Sequence, residues 1–153
     1  KLNEAEALVA AGLTDVMIAN QVVGPIKMKR LADLAKRSSL RVCVDDYDNV
    51  TRIAEACAAA GSIIGVLVEV DVGMKRCGVA PGEPALELAR HIRKYPSLRF
   101  DGLQGYDGHL QYIPDMAERE RRCREGMIPF IATRKLIEAA GIPVKVVTGQ
   151  PNT

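Results

Sequence analysis

The chain has 153 residues, 48% of them apolar and 26% charged, with 21 basic against 19 acidic side chains and a formal net charge of +2. This composition excludes a disordered tail, which carries fewer apolar residues, and a helical membrane span, which needs about 18 or more unbroken apolar residues. The near balance of charge leaves no electrostatic footprint for nucleic acid, so the expected partner is a small molecule or another protein, with neither nucleic acid nor membrane involved.

Lys1 to Gly12 reads as a helix, with Asn3 as N-cap, Glu6 three residues later to complete a capping box, and Gly12 as the stop. The chain opens on Lys1 directly in this helix-initiation motif, and further chain is expected upstream. Asp15 to Asn20 is a short buried strand. Pro25 suits the first turn of a second helix, with Ile26, Leu31, Leu34 and Ala35 on its apolar face and Lys27, Lys29, Arg30 and Lys36 on the wet one. Leu40 to Asp45 is the next strand, Asn49 to Ala60 a helix closed by Gly61, and Ile63 to Asp71 a longer apolar strand. A helix then runs from about Glu83 to Lys94, and Leu98 to Gln104 is a strand that empties into a Gly-rich loop. The last helix spans about Asp115 to Ala140, where Pro129 is expected to kink or divide it, and Val144 to Thr148 is the final strand.

Ala-Ala-Gly recurs before three of these strands, at Gly12, Gly61 and Gly141, as helix-end chemistry or as a weak internal repeat. Cys43, Cys57, Cys77 and Cys123 form neither a zinc pattern nor a CxxC pair, which favours a reducing, cytoplasmic setting.

Val- and Ile-rich strands without polar alternation are buried on both faces, so a parallel sheet covered by helices is expected. Neither GxGxxG nor GxxxxGK[ST] is present, which argues against an open nucleotide-binding sheet. Polar residues instead gather at successive strand ends: Asn20, Asp45 and Asp46, Asp71, Gln104 to Gln111, and Thr148 to Thr153. That is where a barrel places its active mouth. The predicted fold is therefore α/β, a partial (β/α)8 TIM barrel with about five parallel strands. A complete barrel has eight strands and typically about 250 residues, so residues 1–153 are expected to be an incomplete barrel domain, inactive and aggregation-prone if produced alone.

Three stretches carry candidate chemistry. In VEVDVGMKRCGV a glycine turn delivers Arg76, whose planar cation suits an anionic oxygen or phosphate, unless it is simply a surface arginine. Glu69 and Asp71 alternate with valines and are expected to point inward, as a structural ion pair or as acid–base groups. In GLQGYDGHLQ, Tyr106 offers a flat face and a hydroxyl, while His109 can move protons near neutral pH and Gln111 adds a polar group. In VTGQPNT, Thr148 and Gly149 open a loop of the kind that binds phosphate after late barrel strands.

Taken in this order, with ANQVVG earlier, these motifs resemble the D-threonine aldolase and D-serine dehydratase family, pyridoxal-phosphate enzymes whose N-terminal domain is an alanine racemase-like barrel of fold type III. The resemblance covers essentially the whole chain, from the helix after the second barrel strand to the loop after the seventh. It implies that Arg76 approaches the cofactor's phenolic oxygen, that Tyr106 lies beside its ring, and that Thr148 and Gly149 open its phosphate cradle. His109 and Gln111 would sit near the substrate or behind the site. The cofactor's lysine would precede Lys1, so no catalytic residue is assigned within the chain. The ligands of a divalent metal (Mn, Mg or Zn) would follow Thr153. The family continues the last loop with Gly and Thr, whereas this chain reads Gln150, Pro151, Asn152, Thr153, and Pro151 lacks a donor.

The activity implied is cleavage of D-β-hydroxy amino acids to glycine and an aldehyde with pyridoxal 5'-phosphate. Dehydration of D-serine or 3-hydroxy-D-aspartate is the alternative within the family, and a non-catalytic pyridoxal-phosphate-binding protein is the alternative outside it. The partner would be a small D-amino acid, and a homodimer is compatible with this reading.

Overall fold

The computed structural model of the chain describes residues 1–149. Helix and strand alternate throughout: α1 (Leu2–Ala10), β1 (Asp15–Ile18), α2 (Pro25–Ala35), β2 (Ser39–Val44), α3 (Tyr47–Ala60), β3 (Ile64–Glu69), α4 (Glu83–Ile92), β4 (Leu98–Gly105), a 3-10 turn (Gly108–Tyr112), α5 (Met116–Ala139) and β5 (Val146–Gly149). The strands are all parallel in the order β1-β2-β3-β4-β5, so each pairs with its sequence neighbour. With helices as the crossovers, this is a half-barrel of parallel strands.

Alternation along the strands divides the sheet into two faces. Leu40, Val42 and Val44 of β2, with Ile64, Val66 and Val68 of β3, share a core with Met28, Leu31 and Leu34 of α2 and Val50, Ile53 and Cys57 of α3. The intervening positions, Arg41 and Cys43 paired with Gly65 and Leu67, face the concave side. Truncating a fully buried leucine such as Leu31 or Leu34 to alanine costs about 2–5 kcal/mol.

At the N-terminal ends of the strands the concave side carries charge. Arg41 Nε donates to Asp101 Oδ2 at 3.1 Å, and a second guanidinium nitrogen of Arg41 reaches Asp15. Arg99 grips Asp101 through Nε at 2.6 Å and Nη2 at 2.7 Å. These side chains cross above Gly65, where an added Cβ would lie 2.3 Å from Asp101 Oδ2 and 2.9 Å from Arg41 Cγ. Asp101 enters this layer through an irregularity in β4, since the register shifts between Val66 and Leu67.

Several local expectations are corrected. Helix α1 begins one residue before Asn3, and Glu4, not Glu6, reaches back to the Lys1 amine; Glu6 instead bonds Arg30 of α2. Ile26 is 76% exposed, and Met28 and Ala32 complete the buried face of α2 in its place. Ile26 lies two residues before Met28, about 200° round the helix, which puts it on the side away from the sheet. Helix α5 runs continuously through Pro129. Thr133 Oγ1 donates to the Pro129 carbonyl at 2.7 Å and anchors that turn. Strands β1 and β3 stop at Ile18 and Glu69, and Asp71 falls in the following turn. Neither Glu69 nor Asp71 joins an ion pair among the described residues.

Candidate functional site at the strand ends

At the C-terminal ends, register places Glu69 beside Gln104 and Gln104 beside Thr148, with Gly105 beside Gly149. Parallel partners share a face, so Glu69, Gln104 and Thr148 form one polar row on the concave side. Glu69 is buried and fully engaged: Gln21 Nε2 donates to its Oε2 at 2.7 Å and the Cys77 thiol to its Oε1 at 3.0 Å. Burial, then the nearby Glu69 carboxylate, pushes the Cys77 thiol up, and burial with Glu69 takes Cys43 to about 12. Both therefore remain thiols at neutral pH, and Cys77 serves as a donor rather than a nucleophile.

After β3 the chain makes a closed excursion. Val79 N donates to Glu69 O at 2.9 Å and Asp71 N to Val79 O at 2.9 Å, so the turn returns to its own origin. Gly78 makes the closure possible: its φ is 98°, and a Cβ there would sit 2.6 Å from Asp71 N. Its amide also donates to Asp45 Oδ2 at 2.8 Å, which ties the turn to the end of β2.

Arg76 projects from this turn and lies with Cζ 4.9 Å from the centre of the Tyr106 ring. It makes no ion pair among the described residues, and its guanidinium is exposed. His109 meets the same turn from the other side, since a Cβ on Gly73 would be 3.7 Å from its Nε2. A cleft of about 200 Å³ lies here, lined by Asp71, Gly73, His109, Arg122 and Glu125. Below it Asp107 is buried, with the Cys123 thiol 3.9 Å from its Oδ2, and burial raises the Asp107 carboxyl above its usual range. Gln104 Oε1, Asp107 Oδ1 and His109 Nδ1 are buried without a hydrogen-bond partner among the described residues.

The sequence candidates are thus partly brought together. Arg76 and Tyr106 touch, and Thr148 and Gly149 end the strand beside the one that leads into Tyr106. His109 joins them through Gly73, whereas Gln111 is exposed on the 3-10 turn. Gln150 to Thr153 lie outside the described residues. Sequence reasoning placed Gln104 to Gln111 at the rim without singling out Gln104 or Asp107, and it missed the Cys77–Glu69 bond. For Asp107 the one available signal was its place between a strand end and a glycine; for Cys77, its spacing of eight residues from Glu69 across a glycine turn.

A larger groove, about 790 Å³, lies elsewhere, between the outer sides of α2 and α3, where Lys29, Asp33, Arg52 and Glu55 flank Met28 and Ala56. Its charges alternate in sign and no unpartnered buried polar atom faces it among the described residues, so the strand ends are the better site. Among the described residues there is no cluster of three His, Cys, Asp or Glu able to hold a metal, and no helix long and apolar enough to cross a membrane.

Known proteins agree with this architecture. A D-threonine aldolase from Arthrobacter sp is 40% identical over 149 residues, 97% of this chain and 39% of the relative. A 3-hydroxy-D-aspartate aldolase from Paracoccus denitrificans (strain Pd 1222) is 34% identical over 150 residues, again 97% of this chain and 39% of the relative. The crystal structure of D-threonine aldolase from Filomicrobium marinum superposes with a TM-score of 0.94 at 42% identity, covering 97% of this chain and 40% of that one. The chain therefore spans about two fifths of the length of each of these three relatives. Residues 1–150 match the family described as alanine racemase, N-terminal domain, and the chain belongs to that family.

Proposed function

We propose that the chain is an incomplete barrel domain that forms the cofactor-binding part of a pyridoxal-phosphate-dependent aldolase acting on small D-β-hydroxy amino acids. The observation that carries this reading is Arg76, a guanidinium free of ion pairs among the described residues and laid against the Tyr106 ring beside the row that ends at Thr148. A fixed cation with an adjacent flat face suits a planar, anionic aromatic ligand. The orphaned Gln104 Oε1 in the same row leaves a buried polar atom for a ligand or water to satisfy. The similarity to a D-threonine aldolase and a 3-hydroxy-D-aspartate aldolase supports the reaction class.

In this reading Arg76 would hold an oxygen of the cofactor and Tyr106 would flank its ring. The Thr148 hydroxyl and the Gly149 amide would donate to its phosphate. The bound cofactor supplies a conjugated ring that takes up the electron pair released when a bond at the substrate's α-carbon breaks. His109, with its Nδ1 buried and its Nε2 edge toward Gly73, can accept or release a proton at the cleft. The described residues do not supply a metal's ligand set.

The test uses the full-length protein. Purified material is expected to show the visible absorbance of bound pyridoxal phosphate and to release glycine from D-threonine. Absence of the absorbance overturns the reading. Cofactor binding with deamination of D-serine, and no glycine from D-threonine, would move the assignment to a dehydratase.

A further inference from the structure

Inside the excursion after β3, Asp71 has an unusual set of partners. Its Oδ1 accepts from the amides of Gly73 at 2.9 Å and Lys75 at 3.0 Å. Lys75 has φ 53°, and among the described residues it is the one non-glycine with positive φ. A side chain with a Cβ does not enter the left-handed region unaided, because that carbon crowds the neighbouring carbonyl oxygen. The residue immediately after it is Arg76.

The surroundings define what Asp71 does. It makes no ion pair among the described residues, so its side chain's bonds all run to its own turn. The rest of the turn is fixed independently, by the Glu69–Val79–Asp71 backbone bonds, by Gly78 on Asp45 and by Cys77 on Glu69. Lys75 is left as the point where the chain direction is decided. In the ordinary right-handed or extended conformation, Lys75 would send the following side chain elsewhere.

We infer that Asp71 is a positioning residue for Arg76: its Oδ1 locks Lys75 in the left-handed conformation, and that backbone reversal lays the guanidinium on the Tyr106 ring. The inference deepens the proposed function, since it rests on Arg76 meeting the ligand there. It differs from a direct role for the Asp71 carboxylate in the cleft beside His109, because the carboxylate works through an acceptor atom and a backbone angle, not through its charge.

The experiment uses the full-length protein and four variants: Asp71→Ala, Asp71→Asn, Lys75→Gly and the double variant D71A/K75G. Two quantities are read, the dissociation constant for pyridoxal phosphate and the amide hydrogen exchange of the Val70–Val79 peptide, with thermal melting as the check on folding. Asp71→Ala is expected to weaken the cofactor about tenfold and to speed exchange in that peptide, because a preorganised contact becomes a mobile one. Asp71→Asn keeps the acceptor and is expected to lose no more than about threefold.

Glycine enters the left-handed region without penalty, so D71A/K75G is expected to recover at least half of the lost affinity, on a logarithmic scale, while Lys75→Gly alone changes little. If Asp71→Asn is as weak as Asp71→Ala, or if the double variant recovers nothing, the inference is overturned. Should the unmodified protein bind no pyridoxal phosphate, the proposed function fails, and the exchange of the Val70–Val79 peptide still decides the role of Asp71. Unchanged exchange in a folded Asp71→Ala variant also overturns it.

Discussion

The Arg76 guanidinium carbon stands 4.9 Å from the centre of the Tyr106 ring, which joins the turn after β3 to the end of β4 through one cation–π contact. At an exposed site such a contact is worth about 0.5–1 kcal/mol. In the full-length protein, Tyr106→Leu is therefore expected to weaken pyridoxal-phosphate binding by about two- to fivefold through the loss of this support, plus whatever the ring contributes directly. Arg76→Ala removes the charge itself and is expected to weaken binding by about tenfold or more. Titration of the cofactor's absorbance measures both. An Arg76→Ala protein that binds as tightly as the parent would remove the cation from the site.

Gly65 lies under the crossing of Arg41, Arg99 and Asp101, and its replacement by alanine puts a methyl carbon 2.3 Å from Asp101 Oδ2. The carboxylate cannot yield without losing a guanidinium partner, and Asp101 is buried. Both guanidinium partners are partly exposed, so the cost is that of overpacking, and Gly65→Ala is expected to destabilise by about 1–3 kcal/mol despite adding one methyl. Equilibrium denaturant unfolding of the full-length protein is the measurement, and a loss below about 1 kcal/mol would show that the network relaxes freely.

Asp107 gives a pH signature. Burial raises its folded-state pKa above the ordinary 3.8, against smaller opposing effects from its own backbone, His109 and the Cys123 thiol. The neutral carboxyl is the form the fold favours. Its contribution to stability is fully present below the unfolded pKa and is lost as pH rises through the folded one. An asparagine side chain in its place stays neutral throughout, so the Asp107→Asn protein is expected to melt like the parent at about pH 4 and progressively above it towards about pH 7. A melting difference that does not change with pH would refute the assignment.

The barrel was legible because its signals are collinear with the chain. Runs such as IIGVLVE in β3 and VCV in β2 need cover on both faces, and polar residues at successive strand ends mark one rim. Arg76 and Tyr106 could be singled out for the same reason, since Tyr106 directly follows β4 and Arg76 lies in the glycine turn that follows β3. What stayed hidden depends on coincidences in space. Ile26 is apolar yet faces out, because it stands two residues before Met28 and so about 200° round the helix from the buried face. Asp107 looks like a loop aspartate until the start of α5 brings Cys123 against it. Left-handed Lys75 has no sequence signature at all, because lysine gives no hint of positive φ. The concave charges were unreadable too, since the Asp15–Arg41–Asp101–Arg99 chain joins residues from three strands.

Thr133 links the last helix to the helix that follows the Arg76 turn. Its hydroxyl donates to Pro129 O at 2.7 Å and accepts from Gly82 N at 2.7 Å, at the N-cap of α4. One buried hydroxyl thus satisfies an orphan donor of α4 and steadies the proline turn of α5. Thr133→Val preserves the shape and removes both bonds, leaving the Gly82 amide unpaired, which is expected to cost about 1–3 kcal/mol. Thr133→Ser retains the oxygen and is expected to lose less than about half of that, mainly through the missing methyl. Denaturant unfolding separates the two, because a packing role for the methyl alone makes serine the worse substitution. A valine variant as stable as the parent would mean that water replaces the hydroxyl at Gly82 without loss.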